Sequence, residues 1–310
     1  MAANVGARPA RDATWGLARG HEIDPTLVVI EPLGGGSRYE VFEAWDRELF
    51  CKVAVKVLRA DRIDSERSLA SFEREAMMAE GLRHPNLVRL LRWSPALPRP
   101  YIVLELISAP MLSTVLEEEG AISVPEICLL AVRMLAALHY LHRRSLLHLD
   151  VKPSNVSTGE PPRLLDLSVA RFAPGALKLR HPIGTPQYMA PEQCEHAHVT
   201  PATDIFGLGA TLYEALTGMA PFRPGVDGAE AREDRYPQLV EEPVPLRELM
   251  PAVPAPLDAF VMSCLARDPA RRPASAVDAA TALHRILEGF GHRELLAWPR
   301  GVDIRPRDLR

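Results

Sequence analysis

The feature that most limits the fold is a change of hydrophobic period partway along the chain. Up to about residue 107 apolar residues come in short alternating runs, the period of strands; beyond it they recur at helical spacing. "LVVIEPLGGG", "YEVFEAWD", "CKVAVKVL", "NLVRLLRW" and "PYIVLELI" read as strands. Alternation in the third sets Val53, Val55 and Val57 on one face and Ala54, Lys56 and Leu58 on the other. A single helix interrupts them, from about Ser65 to Glu80. Asp64 or Ser65 can cap it, Gly81 can end it, and Leu69, Phe72, Ala76 and Ala79 form its apolar stripe. After "SAPMLSTVL" come a long helix carrying Ile127, Leu130, Met134, Leu138 and Leu141 on one face, and further helices near 203–217, 256–267 and 275–289. Prolines between 237 and 256 argue against a long helix there. The expected architecture is α+β: a small β-rich lobe (25–107), a linker near 106–111 and a larger α-rich lobe (108–289). A flexible lead-in (1–24), a C-terminal tail (290–310) and a ligand cleft between the lobes complete it.

Composition narrows the function. A net charge of -4 argues against a general nucleic-acid binder, and the scattered tryptophans form no stacking platform. Cys51, Cys128, Cys194 and Cys264 form no CxxC pair and read as reduced thiols of a cytoplasmic protein. The opening residues carry arginines but no apolar h-region, so they do not read as a secretory signal. "ICLLAVRMLAALHYLH", the longest apolar candidate, is broken by Arg133 and reads as a core helix rather than a membrane span.

Chemistry concentrates in three places. Gly34, Gly35 and Gly36, after Leu33, permit a backbone that approaches a phosphate; a tight hairpin accounts for them equally well. Lys56 shares a strand face with Ala54 and Leu58, and Glu75 sits beside the helix stripe. Each is unremarkable singly, a snorkelling lysine and a solvated glutamate, but pairing would satisfy both if they are buried. "HLDVKPSNV" then packs His148, Asp150, Lys152 and Asn155 into one short loop after the long helix. His139 and His142 read as structural, and His181, His196 and His198 as surface loop residues.

In this order the residues resemble the eukaryotic-like protein serine/threonine kinases, over about 27–289, with wording similar to actinobacterial members. The resemblance rests on the glycine loop, "VAVK", Glu75, "HPNLVRL" (84–90), "HLDVKPSNV" (148–156) and "LLDLS" (164–168). "GTPQYMAPE" (184–192), "TDIFGLG" (203–209) and "RDPARRP" (267–273) extend it. It implies a two-lobed kinase fold, ATP with Mg²⁺ (or Mn²⁺) as cofactors, and a protein substrate with a Ser or Thr acceptor. Asp150 would orient the acceptor hydroxyl and Lys152 would stabilise the transferring phosphoryl group. Asn155 and Asp166 would hold the metal, and Lys56, paired with Glu75, would contact the α- and β-phosphates. Val41, Ala54 and Ser157 would surround the adenine. Backbone groups near Glu105 and Ile107 would hydrogen-bond it, with Leu104 as gatekeeper. Thr185 would brace the catalytic loop and Glu192 would pair with Arg272.

The sequence departs from that pattern in five respects. Tyr39 stands at the third glycine of the loop, where it would stiffen the flap over the phosphates or crowd them. Leu149 replaces the arginine that receives an activation-loop phosphate, and residues 169–184 contain no Ser, Thr or Tyr. The two losses agree on an enzyme not switched by phosphorylation in that segment. Ser157 and Ser168 replace an apolar residue and a glycine. A pseudokinase is the alternative reading, and a small-molecule phosphotransferase a weaker one, since "GTPQYMAPE" suits a docked polypeptide. A regulatory partner or a homodimer stays open.

Overall fold

The structure, a computed structural model, describes residues 14–289. The expected tail (290–310), with Leu295, Leu296 and Trp298, and the first residues of the expected lead-in lie outside them. The chain divides into two compact units. One runs up to Arg83 and resumes over Val88–Ser108; the other comprises His84–Leu87 and the chain from Ala109 onward.

The first unit is one antiparallel sheet and one helix. Strands β1 (Glu22–Asp24), β2 (Leu27–Gly35), β3 (Tyr39–Asp46), β4 (Cys51–Leu58), β5 (Leu90–Ser94) and β6 (Tyr101–Glu105) lie in the order β1-β2-β3-β4-β6-β5. The alternation in β4 does what the pattern demands. Val53, Val55 and Val57 are wholly buried in a cluster with Leu27, Val29, Phe42, Ala44 and Val103. Each such burial contributes about 1.5–3 kcal/mol. Leu58, on the opposite face, packs with Phe72 and Ala76 of helix α1 (Glu66–Ala79). The Ser65 hydroxyl caps α1 by accepting from Ser68 N, and Gly81 follows the helix at φ 78°, a conformation glycine adopts without strain.

Two expectations about this unit need correction. The lead-in is structured from Thr14 onward: the Trp15 indole donates to Leu58 O (2.7 Å), its ring meets Arg99, and β1 extends the sheet. An indole that both covers apolar strands and satisfies a backbone carbonyl has reason to be ordered. The strand expected at 86–93 begins only at Leu90. His84–Leu87 belong to the second unit, where Asn86 Nδ2 donates to Pro162 O, Leu87 bridges to Leu164 and the His84 ring meets that of Tyr140 at a tilt.

The second unit is mainly helical. It contains α2 (Leu112–Glu119), α3 (Val124–His142), α4 (Pro191–Cys194), α5 (Pro201–Thr217), α6 (Arg232–Arg235), α7 (Leu246–Leu249), α8 (Ala255–Cys264) and α9 (Ala276–Gly289). Two small two-stranded antiparallel sheets, β7 (Leu146–Leu147) with β8 (Arg171–Phe172) and β9 (Leu177–Lys178) with β10 (His198–Val199), complete it. Helix α5 is buried on nearly every side and packs against α3 and α8. It can approach α8 because Gly209 has no side chain: a Cβ there would lie 2.6 Å from Cys264 Cβ. Helix α3 is long and apolar enough to cross a membrane by length and composition, but it packs against α9 and α5 with eight residues buried, as a core helix does. The proline-rich stretch holds the 3-10 turn Pro237–Leu239, the short α7 and the first residues of α8, whose Pro256 lies in the first turn.

Candidate active site

The expected site residues form two constellations, one in each unit. In the first unit the glycines close a hairpin. Gly36 N donates to Tyr39 O, and a Cβ on Gly35 would stand 2.7 Å from that same oxygen, so glycine is required there by the turn itself. The loop residues Leu33 to Gly36 are exposed. Lys56, in β4, is buried and its ammonium meets Glu75 of α1 at 2.5 Å. The expected pairing therefore exists, and it satisfies two charges that would be costly to bury apart. Val41 lies opposite Lys56 in the β3–β4 register, and Ala54 opposite Leu104 in β4–β6. All three flanking residues are part-buried, as are Glu105 and Ile107. Glu105 N donates to Arg89 O within the sheet.

Tyr39 is where the structure adds most. As the first residue of β3 it pairs with Leu58 and turns inward, packed on Phe72. Its phenol donates to Glu75 Oε2 at 2.6 Å, and its ring lies 4.5 Å from the Lys56 ammonium. Burial first, then the Glu75 charge, pushes the phenol far above its ordinary range, so it stays protonated and a donor.

In the second unit the loop after β7 gathers around Asp150. Thr185 N donates to one carboxylate oxygen (2.8 Å); Asn155 Nδ2 (3.1 Å) and the Lys152 ammonium (3.0 Å) approach the other. Lys152 also donates to the Thr185 hydroxyl at 2.5 Å. The 3-10 turn Pro153–Asn155 makes this possible by folding Asn155 back, so that its amide also donates to Asp150 O (2.9 Å). The peptide before Asp166 is pinned from both sides: Leu165 N donates to Asn155 O, and His148 Nε2 meets Leu165 O at 2.9 Å. Asp166 itself holds φ 64° and accepts from Ser168 N.

The donor set suits a hard cation. Asn155 commits its amide nitrogen to Asp150, which aims its carbonyl oxygen away from that carboxylate, and Asp166 supplies carboxylate oxygen; oxygen ligands are what Mg²⁺ takes. Among the described residues no cluster of three or more His, Cys, Asp and Glu is placed for another metal.

Ser157 is not where it was expected. It is completely buried, and its hydroxyl accepts from Arg163 N, so it presents no surface to a base. Its short polar side chain closes a backbone turn instead.

Three supports of the loop escaped the sequence reading. The foremost is Asp204, in the first turn of α5, which accepts from His148 N (3.0 Å) and Leu149 N (2.7 Å) and meets His142 Nε2 at 2.8 Å. Burial alone would raise its pKa. The His142 hydrogen bond, the charges of His142 and His148 and the Leu149 amide outweigh that and hold it below the usual carboxylate value. Gln193 is the second, donating to Leu149 O and Ile183 O. These clamps hold Leu149 at φ 64°, where a branched side chain is strained by about 1–3 kcal/mol. The third is indirect: Tyr188 N donates to Thr185 O, and the Tyr188 phenol ties that turn to Glu214 of α5 (2.6 Å). The signal for Asp204 was present: an acid beside the apolar run that opens α5. The Glu192–Arg272 pair expected from the sequence is present and bidentate, at 2.7 and 2.8 Å, with both residues buried.

Leu149 points into an apolar cluster with Leu147, Ala173, Leu179 and Val199, flanked by Leu177 and Ile183. Most of these residues come from the segment that precedes Thr185.

The sheet unit thus carries a buried lysine–glutamate pair and the helical unit an aspartate-centred loop. The chain belongs to the protein kinase family: the protein kinase domain model matches residues 27–285. It is 33% identical over 269 residues to the serine/threonine-protein kinase PknB of Mycobacterium tuberculosis, covering 84% of this chain and 42% of that protein. It is 34% identical over 279 residues to the serine/threonine-protein kinase PkaA of Streptomyces coelicolor, covering 84% and 50%. The chain thus spans half or less of the length of these relatives.

Proposed function

We propose that this chain transfers the γ-phosphoryl group of ATP to serine or threonine hydroxyls of protein substrates. The observation that carries the reading is the Asp150 carboxylate, fixed by Thr185 N, Asn155 and Lys152. A carboxylate so held can accept a hydrogen bond from an incoming hydroxyl and take its proton as the new O–P bond forms and the bond from the γ-phosphorus to the bridging oxygen breaks, releasing ADP. Lys152 sits beside it with a positive charge for the transferring group, and Lys56, oriented by Glu75, serves the other phosphates. Bound Mg²⁺, with Asn155 and Asp166 as its holders, would supply charge neutralisation on the phosphate oxygens. ATP as donor assigns the reaction to the cytoplasm. The protein substrate and its docking on "GTPQYMAPE" are part of this reading.

The same reading includes control without phosphorylation at 169–184. The Leu149 cluster supports it, because apolar contacts order the segment where the family's arginine would need a phosphate. The test is Mg²⁺-dependent transfer from labelled ATP to the protein itself and to a basic carrier protein. The Asp150→Asn variant is expected to lose at least about a thousandfold, while phosphatase treatment leaves the wild-type rate unchanged. Nucleotide binding with no transfer by wild type would instead identify a pseudokinase. Activation by a phosphate on Thr185 would overturn the control mechanism.

A further inference from the structure

Glu75 is held twice. One carboxylate oxygen takes the Lys56 ammonium and the other takes the Tyr39 phenol, while the Tyr39 ring lies against the same ammonium. We propose that Tyr39 is a positioning residue that fixes Glu75, and through it Lys56, so that the glycine loop and helix α1 are latched together within the first unit. The inference deepens the kinase reading, since it assumes that Lys56 serves the phosphates.

Three observations converge on it. Tyr39 closes the glycine hairpin with its own carbonyl, which accepts from Gly36 N and leaves no room for a Cβ on Gly35. The residue that sets the loop is therefore the residue that grips the helix. Its neighbours reinforce the tie: Arg38 Nη1 donates to Ser71 Oγ of α1, and Arg62, in the turn leading to α1, donates to Ser37 O. The ring is also well seated, against Phe72, which in turn meets Trp93 edge-on. A glycine at position 39 would keep the carbonyl that closes the turn but would offer neither the phenol to Glu75 nor the ring to Phe72 and Lys56. A lysine–glutamate pair without such a third member can part when the helix swings. Here α1 would have to break a phenol–carboxylate bond and unpack a ring as well. The chain thereby carries, within one unit, a hold on Glu75 that needs neither a partner nor a phosphate.

The test compares wild type with Tyr39→Phe, Glu75→Leu and the double variant by amide hydrogen exchange of α1, without nucleotide. Tyr39→Phe keeps the ring and its packing and removes only the donated hydrogen bond. Exchange of the amides around Glu75 is expected to rise about tenfold, the scale of a buried hydrogen bond to a charged group. In the Glu75→Leu background the same change should do nothing further, because the acceptor is gone; a merely structural role would give equal effects in both backgrounds. In the transfer assay kcat/KM for ATP should fall about tenfold in Tyr39→Phe. Wild-type exchange rates in Tyr39→Phe would overturn the proposal. So would a Tyr39→Gly variant faster than wild type, since Tyr39 would then be an obstruction. If wild type transfers no phosphate, the proposed function fails and the exchange data still decide the latch.

Discussion

Glu75 and Asp204 are both buried carboxylates, and they are held in opposite ways. Glu75 is gripped by side chains, the Lys56 ammonium and the Tyr39 phenol, each on a strand of its own. Asp204 is gripped mainly by backbone, the amides of His148 and Leu149, with His142 as a side-chain partner. Side-chain grips can be released by a rotamer change. Backbone partners have no rotamers of their own, so on that side the grip moves only if the loop moves. The helical unit thus presents Asp150 from a scaffold built to stay fixed, whereas the sheet unit holds Lys56 through contacts that act as a clasp.

That contrast orders the expected effects. Asp204→Ala should be the most damaging: it orphans two buried amides and frees Leu149 from a strained conformation. A loss of about 3–5 kcal/mol is expected in urea unfolding, with transfer activity lost alongside. A variant with wild-type stability would show that Gln193 alone suffices to hold the loop, and the contrast would fall.

Acid should expose the same group. Its folded pKa lies below the ordinary carboxylate value. Its contribution to stability is therefore complete above about pH 4, the unfolded value, and is lost as pH falls through the folded one. Removing His142, which helps depress that pKa, should move the acid-unfolding midpoint to higher pH. Equal midpoints for wild type and His142→Ala would mean that other groups govern acid unfolding. The smallest effect belongs to the sheet unit. Ser65→Ala, which removes the cap of α1, should cost about 1 kcal/mol, speed exchange at the start of that helix and leave the Asp150 loop untouched. Exchange changes reaching the loop would show the two regions to be coupled.

The elements were legible where a period could be counted. Alternation in β4 named its buried valines, and helical spacing named the stripe of α1, both of which are local properties of the chain. The Lys56–Glu75 pair was legible because burial of either charge required the other. What escaped depended on partners remote in sequence. Asp204 acts on His148 and Leu149 from 56 and 55 residues away, and no spacing rule links them. Tyr39 was judged by the glycine it replaces, whereas strand register turned its ring inward to a carboxylate 36 residues on. Ser157 was judged by its position in a motif and proved to be spent on Arg163. Trp15 was invisible for a similar reason: its anchor, Leu58 O, is a backbone atom.

The Leu149 cluster has a consequence in its response to solvent conditions. A segment ordered by an arginine and a phosphate loosens as ionic strength rises, because the ions between them are screened. A segment ordered by Leu149, Ala173, Leu179 and Val199 is indifferent to moderate salt and loosens on cooling, where apolar association weakens. The segment preceding Thr185 thereby takes temperature, rather than salt, as the variable that governs its order.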